Sequence, residues 1–418
     1  MPMRRRTFIG SVLASSLSAF GARNGLAQDT GEHIAVIGAG AFGGWTALNL
    51  LRAGSRVTLL DAWGPGHSRA SSGGESRVIR HAYRKAIYVE MVKRSLELWL
   101  EANDAWGRPL FHQAGALHMR QANSPIDLDK NGSLLSAAGV PHEVLDRDEL
   151  ARRYPQINMD GIESAIYEPT AGYLLARRAC QVVVDAFINE GGEYRTAYVQ
   201  PGKIAGRRMS NISLSGGGML AADQYLFACG PWLKTMFPDV LGPYLRVSRQ
   251  EMFYFGTPAQ DRRYDAGALP AWTDIGDEVW YGVPGGEQRG FKIADDGMGP
   301  PHDPSTAERT VSESGIAAAS AYMAYRFPGL KGAPLIESRV CQYTNTPDGD
   351  FIADRHPQAD NAWLLGGGSG HGFKHGPALG EMVAAQVLGH RPVEGTFALA
   401  RFESSTDLSS SQGSGMKR

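Results

Sequence analysis

Three glycines at close spacing, Gly38, Gly40 and Gly43, separate a short apolar run at 34–37 from a helical pattern in which Trp45, Leu48 and Leu51 recur on one side. The next apolar run, 57–60, ends on Asp61. Glycines in this setting have separate tasks. Gly38 permits a tight strand-to-helix turn, Gly40 lets the backbone approach a pyrophosphate, and Gly43 lets helix and strand pack closely. The helix start then offers free N–H groups and about half a positive charge to that anion. Asp61 is positioned to accept hydrogen bonds from ribose hydroxyls, and its charge disfavours a ribose phosphate. The chemistry is dinucleotide binding, and this unit alone is compatible with FAD or NAD.

A second glycine cluster, Gly366-Gly367-Gly368-Ser369-Gly370-His371-Gly372-Phe373-Lys374, follows an apolar run at 363–365 and precedes a helical stretch at 377–388. That stretch has proline in its first turn and is stopped by Gly389. Two helix starts, one near each end of the chain, suit a long cofactor lying across a sheet drawn from distant segments. FAD is long enough to need both. Arg77 and Arg80 stand close together in a Gly- and Ser-rich stretch, 62–84.

The remaining elements must position these groups. Helices are expected at 88–106, with Val92, Leu96 and Trp99 on one face, and at 176–190. Residues 107–150 read as alternating short strands and loops, including a strand at 116–119. A buried strand at 225–227 leads into Cys229-Gly230-Pro231-Trp232. The stretch 245–295 is the most β-like, with VSRQEMFYF and EVWYGVP both alternating. No internal repeat is present.

The 418 residues provide ample core for two units. Lys plus Arg (42) nearly balances Asp plus Glu (43), so nothing points to nucleic acid. Three cysteines, Cys180, Cys229 and Cys341, are too few and too scattered for a disulfide framework or a metal cluster, so no metal site is expected. Residues 1–28 read as an address: Arg4-Arg5-Arg6-Thr7-Phe8-Ile9 has the twin-arginine pattern, and Gly25-Leu26-Ala27 is a cleavage site before Gln28. The apolar stretch 8–20 is well short of the ~20 residues that span a bilayer. Export of a folded, cofactor-loaded enzyme by the twin-arginine machinery to the periplasm is expected, without stable membrane insertion. The Ser-rich tail, 404–418, reads as disordered.

Taken together, the motifs GAGAFG, SRVIRHAY (76–83), WYGVP (280–284), GFK (290–292), VCQYTNTPDGDFIAD (340–354) and SGHGFKHGPALGE (369–381) resemble the monomeric sarcosine oxidase family, within the wider D-amino acid oxidase-like flavoproteins. The resemblance covers roughly residues 32–400. It implies an α/β, overall α+β, architecture. A Rossmann-like FAD-binding domain is assembled from 31–84, 155–232 and 336–400, and a substrate domain from 85–154 and 233–335 is built on a mostly antiparallel sheet.

It further implies FAD attached covalently through Cys341, with Cys180 and Cys229 left to the core. Gly38, Gly40, Gly43, Asp61, Ser76, Arg77, Gly368, Gly370, Gly372 and Lys374 complete the cofactor site. Arg80, Lys374 and Tyr281 match the family's grip on a substrate carboxylate. Lys292 matches the lysine at which O₂ reacts, and Arg77 a basic residue that tunes the ring. Where the family's sarcosine oxidase carries a pocket histidine, four residues after that lysine, this chain has Asp296 beside Asp295, which implies a larger or cationic amine. His81 and His371 are expected to be structural or to hydrogen-bond the flavin.

The reaction so implied is oxidation of a secondary or N-substituted amino acid to an imine, with O₂ reduced to H₂O₂, by a monomer that binds only small molecules. The alternatives are a dehydrogenase that passes electrons to a quinone or cytochrome, a fructosyl amino acid oxidase, an NAD-dependent opine dehydrogenase and a flavin-retaining binding protein.

Overall fold

The computed structural model describes residues 31–124, 127–287 and 289–403. The expected export signal, 1–28, and the Ser-rich tail, 404–418, lie outside them. Among the described residues no helix is long and apolar enough to cross a membrane.

The first glycine motif builds the expected unit. Strand β1 (His33–Ile37) leads through Gly38 into helix α1 (Ala41–Arg52), and strand β2 (Arg56–Asp61) returns beside β1 in parallel. Gly38 adopts φ +108°, and a Cβ there would lie 2.4 Å from the Ala228 carbonyl oxygen. A Cβ on Gly43 would lie 1.9 Å from the Gly38 oxygen, so helix and turn touch only because both residues lack side chains.

A six-stranded sheet grows on this unit in the order Ile352–His356, Ala359–Gly366, Gln224–Phe227, β1, β2, Glu193–Thr196. All neighbours are parallel except the first pair. Alternation in β1 sends Ile34 and Val36 into the core under α1 and Ala35 and Ile37 into the opposite core, as a strand covered on both faces requires. Helices Ala176–Asn189 and Gly376–Val387 pack against α1.

The second sheet has eight strands, in the order Leu335–Asn345, Arg246–Phe255, Phe291–Asp295, Val279–Val283, Ala271–Ile275, Ala116–Gln121, Ile162–Glu168, Glu143–Asp146. It is antiparallel apart from one parallel pair, Ala271–Ile275 with Ala116–Gln121. Directly paired residues share a face. Cys341 opposite Gln250, Tyr254 opposite Lys292, Ala294 opposite Tyr281, and Tyr281 opposite Thr273 therefore all project to one side. The other side carries Phe253, Trp272, Trp280 and Ile293, buried under the helix Glu313–Arg326.

Strand pairing cuts across the segments that sequence assigned to the FAD unit. Ile162–Glu168 and Leu335–Asn345 both run in the eight-stranded sheet, the latter because it hydrogen-bonds along Arg246–Phe255. The stretch 107–150, expected as short strands and loops, also holds two helices. Leu128–Ala137 is capped by Asp127, which accepts from the Lys130 N–H, and Arg147–Arg153 by Asp146, which accepts from the Glu149 N–H. A short strand β3 (Ser76–Ile79) pairs with Gly172–Leu175; it carries Arg77 toward the junction of the two large sheets, and Arg80 follows directly after it.

Candidate active site

A cleft of about 1700 Å³, partly open to solvent, runs between the sheets. One end is walled by Gly38, Gly40 and Asp61, the other by Arg77, Arg80, Tyr281, Asp296, Cys341 and Lys374, with the second glycine run, Gly366 to Gly372, along one side. Both glycine motifs thus face one space. A Cβ built on Gly40 would meet only the Ser72 hydroxyl, at 3.6 Å, so the backbone there is open to a ligand. Asp61 accepts hydrogen bonds from the backbone N–H groups of Ala39 (2.8 Å), Trp63 (2.9 Å) and Gly64 (2.9 Å), which fix its carboxylate at the cleft edge. Trp63, His67 and Trp232 pack together beside it, a cluster without any signal in the linear pattern. The second run precedes a 3₁₀ turn, Phe373–His375, that leads into the helix Gly376–Val387. Ser369 there holds φ +44°, with its hydroxyl donating to the Gly367 carbonyl.

At the far end, Arg77 donates to the carbonyls of Ser71 (2.6 Å) and Ser76 (2.8 Å), and its Nη2 lies 3.6 Å from Cys341 Sγ. Burial opposes the Arg77 charge, but the Cys341 sulfur and the Tyr281 and Tyr254 hydroxyls more than offset it and hold its pKa above the ordinary arginine value. Cys341 is buried in mid-strand with its sulfur on the cleft wall. Cys180 is buried, as expected of core. Cys229, expected in the core, is only half-buried and lines the cleft near Asp61, its Sγ donating to the Ile37 carbonyl at 3.4 Å.

Lys292 is not on the wall of the large cleft. It lies one layer behind, 1% exposed, its Nζ donating to the Ser76 carbonyl (3.1 Å) and lying 5.1 Å from the Tyr281 ring centroid. It lines a smaller cavity with Ser76, Tyr173 and Tyr254. Burial, then the Arg77 charge, brings its pKa down to about 7.

Arg80 and Lys374 converge on the same end. Arg80 is 3% exposed. One Nη donates to the Ala82 carbonyl, Nε has no partner, and the guanidinium sits 4.4 Å over the Tyr83 ring. Among the described residues no carboxylate is ion-paired with it. Lys374 donates to the Tyr83 hydroxyl (2.9 Å) and the His371 carbonyl (3.0 Å). Burial, then Arg80, drives its pKa well below the usual lysine value. Two basic side chains, both buried, thus stand together at this end of the cleft. Tyr281 hydrogen-bonds Tyr343 (3.3 Å), whose hydroxyl donates to Asp296 (3.0 Å). Asp296 is buried and lines the cleft.

Tyr83, Tyr343 and Glu168 belong to this neighbourhood and were not singled out from sequence. Tyr83 is the hub of a buried cluster with Lys374, His371 (3.2 Å) and His375 (3.1 Å). Its position three residues after Arg80 was the available signal. The two histidines weighed at the sequence level are both engaged: His371 lies on the cleft wall and meets the Gly349 carbonyl at 3.0 Å, and His81 binds Glu168. Among the described residues no group of His, Cys, Asp and Glu is arranged to hold a metal.

Residues 33–386 match the family described as FAD dependent oxidoreductase, which spans both glycine motifs, β3 and the cysteine strand. The chain belongs to this family. Within the FAD-dependent oxidoreductases it is similar to monomeric sarcosine oxidase of Streptomyces avermitilis, 32% identical over 85% of this chain and 93% of the relative. It is also similar to N-methyl-L-tryptophan oxidase of Yersinia pestis, 27% identical over 88% of this chain and 98% of the relative. Among solved structures, L-proline dehydrogenase from P. horikoshii superposes with a TM-score of 0.75 at 21% identity, over 89% of this chain and 98% of that one, which supports the fold. The cleft fits the family's cofactor: an open backbone at Gly40, an anchored acid at Asp61, and a thiol and cations at the opposite end.

Proposed function

We propose that this protein oxidises an N-substituted amino acid, taking FAD as cofactor and O₂ as electron acceptor. The observation that carries the reading is the buried Arg80, without an ion-pair partner among the described residues and next to Lys374, in the cleft that begins at the nucleotide turn. Relatives named for sarcosine and N-methyl-L-tryptophan share most of the chain's length, and both names describe N-methylated amino acids.

When bound, FAD supplies the acceptor for the hydride of the carbon next to nitrogen and the route of two electrons to O₂, so the amine becomes an imine and O₂ becomes H₂O₂. Arg80 and Lys374 hold the substrate carboxylate, each charged hydrogen bond contributing about 1.5–3 kcal/mol. Tyr281 and its partner Tyr343 close the pocket wall beside the reacting nitrogen. The amine reacts neutral, so no separate general base is needed. Lys292 provides positive potential behind Arg77 and Tyr281, which favours the developing negative charge on oxygen. Cys341 is the point of covalent attachment, with the Arg77 guanidinium 3.6 Å from its sulfur. Asp296, standing where the family's sarcosine oxidase has histidine, selects an amine that is larger than sarcosine or carries a second positive charge. The twin-arginine pattern supports a periplasmic enzyme, which cell fractionation tests.

The functional test is anaerobic mixing of the yellow protein with a panel of N-methyl and cyclic amino acids. Bleaching by at least one, with colour restored within seconds of admitting air and peroxide formed, is expected. Recovery over minutes would instead identify a dehydrogenase, and no bleaching by any member would reject the reading.

A further inference from the structure

Glu168 ends the strand Ile162–Glu168 and is fully buried. Its Oε2 accepts from the backbone N–H of His81 (2.7 Å) and meets the His81 ring Nδ1 (2.8 Å). Its Oε1 accepts from the backbone N–H of Ala82 (3.0 Å) and meets His118 Nε2 (2.9 Å). An ionised carboxylate offers about four lone-pair sites. All four are filled. Burial alone would raise the Glu168 pKa, but the hydrogen bonds from His118 and His81 outweigh it and hold the group well below the usual range, so it is a carboxylate. His118 Nδ1 meets the Thr273 hydroxyl at 3.0 Å, one strand over.

Three of the four groups on Glu168 belong to the two residues that follow Arg80. The arrangement therefore ties the end of β3 to the eight-stranded sheet and fixes the direction in which Arg80 leaves the chain. It has a second consequence. A fully buried carboxylate near a buried arginine would ordinarily take it as an ion-pair partner, because an unpaired charge is costly there. Arg80 instead keeps Nε without a partner and spends one Nη on a carbonyl.

We propose that Glu168 is a positioning residue for carboxylate binding. By accepting from four N–H donors it locks the 80–82 turn and is itself saturated, which leaves the Arg80 guanidinium for the substrate. His118 is part of the device, since its N–H fills the lone pair that would otherwise attract Arg80. This rests on the reading of Arg80 as the carboxylate receptor.

The test is equilibrium binding to the FAD-loaded protein, followed by the flavin spectrum under argon. The probe is N,N,N-trimethylglycine, whose quaternary nitrogen has no lone pair and so cannot be oxidised to an imine, compared with its carboxamide. Wild type is expected to prefer the acid by tenfold or more. In Glu168→Gln, and independently in His118→Phe, the Kd of the acid is expected to rise at least tenfold and that of the carboxamide less than twofold. His118→Gln, which keeps an N–H donor, should retain the wild-type preference. If Glu168→Gln does not fold, the His118 pair decides. Equal losses for acid and carboxamide, or an unchanged preference in the folded variants, would overturn the inference. A wild-type protein that does not distinguish acid from carboxamide would overturn the carboxylate assignment of Arg80 itself.

Discussion

Replacing Arg80 with methionine removes the guanidinium while keeping a long apolar side chain in its place. In the native pocket Arg80 is 3% exposed, with Nε free of protein partners and no ion pair among the described residues. Two charge-assisted hydrogen bonds to a bound carboxylate, at about 1.5–3 kcal/mol each, amount to about 3–6 kcal/mol. At 1.4 kcal/mol per tenfold, Kd should rise roughly 10²- to 10⁴-fold. The lower end is favoured because Lys374 remains. Stability should move the other way, since a buried charge without a counterion costs free energy that methionine does not. The assay is titration of the flavin spectrum with a non-oxidisable N-substituted amino acid such as N,N,N-trimethylglycine, alongside urea unfolding. An affinity within threefold of wild type, or an equal loss for the carboxamide, would refute the reasoning.

Further outcomes follow from the same geometry. Gly43→Ala places a Cβ 1.9 Å from the Gly38 oxygen and should yield protein that retains no FAD, checked by the absorbance ratio after desalting. Cys341→Ser should release its flavin on acid precipitation, whereas wild type should give a yellow pellet. Lys292→Met should slow reoxidation of the reduced enzyme by O₂ about 10²–10³-fold. The wild-type rate should fall as pH rises through the Lys292 pKa, about 7, and the variant should be flat in stopped-flow measurements.

Lys292 also has a stability signature in the cofactor-free protein. Its folded pKa of about 7 lies below the 10.5 of free lysine, so the folded state binds fewer protons between them. The destabilisation is complete below about 7 and fades toward 10.5, so stability should rise with pH across that window, by up to about 1.4 kcal/mol per unit, and Lys292→Met should lack the rise. Asp296→His should move relative rates toward sarcosine, and unchanged relative rates would show that Asp296 does not set the choice of amine.

Much of this molecule is legible in the linear sequence because its chemistry depends on local backbone. Gly38, Gly40, Gly43 and Asp61 declare themselves through their own turn, and the helix boundary at Gly389 through proline at one end and glycine at the other. The pairing of distant strands is not written locally. Leu335–Asn345, which carries Cys341, lies in the eight-stranded sheet, because ten-residue register with Arg246–Phe255 decides its place. The helix Glu313–Arg326 has little amphipathic contrast, with only Ala319, Met323 and Arg326 buried, and Ser312 caps it by accepting from the Gly315 N–H. Lys292 was identified as a residue type at a motif, yet it shares a sheet face with the cleft residues Tyr281 and Cys341. Only its position along that face, beside Tyr254 and against the Ser76 carbonyl, puts it behind the cleft wall. Glu168 was invisible because a carboxylate surrounded by N–H donors from residues 81, 82 and 118 has no sequence pattern.

A crystal structure of the yellow protein with a non-oxidisable N-substituted amino acid tests the central claim most directly. The account predicts the ligand carboxylate about 2.7–2.9 Å from the Arg80 guanidinium and Lys374 Nζ, its nitrogen toward Tyr281 and Asp296, and Cys341 bonded to the flavin ring. A ligand carboxylate bound elsewhere, with Arg80 turned onto Glu168 or Asp296, would contradict it.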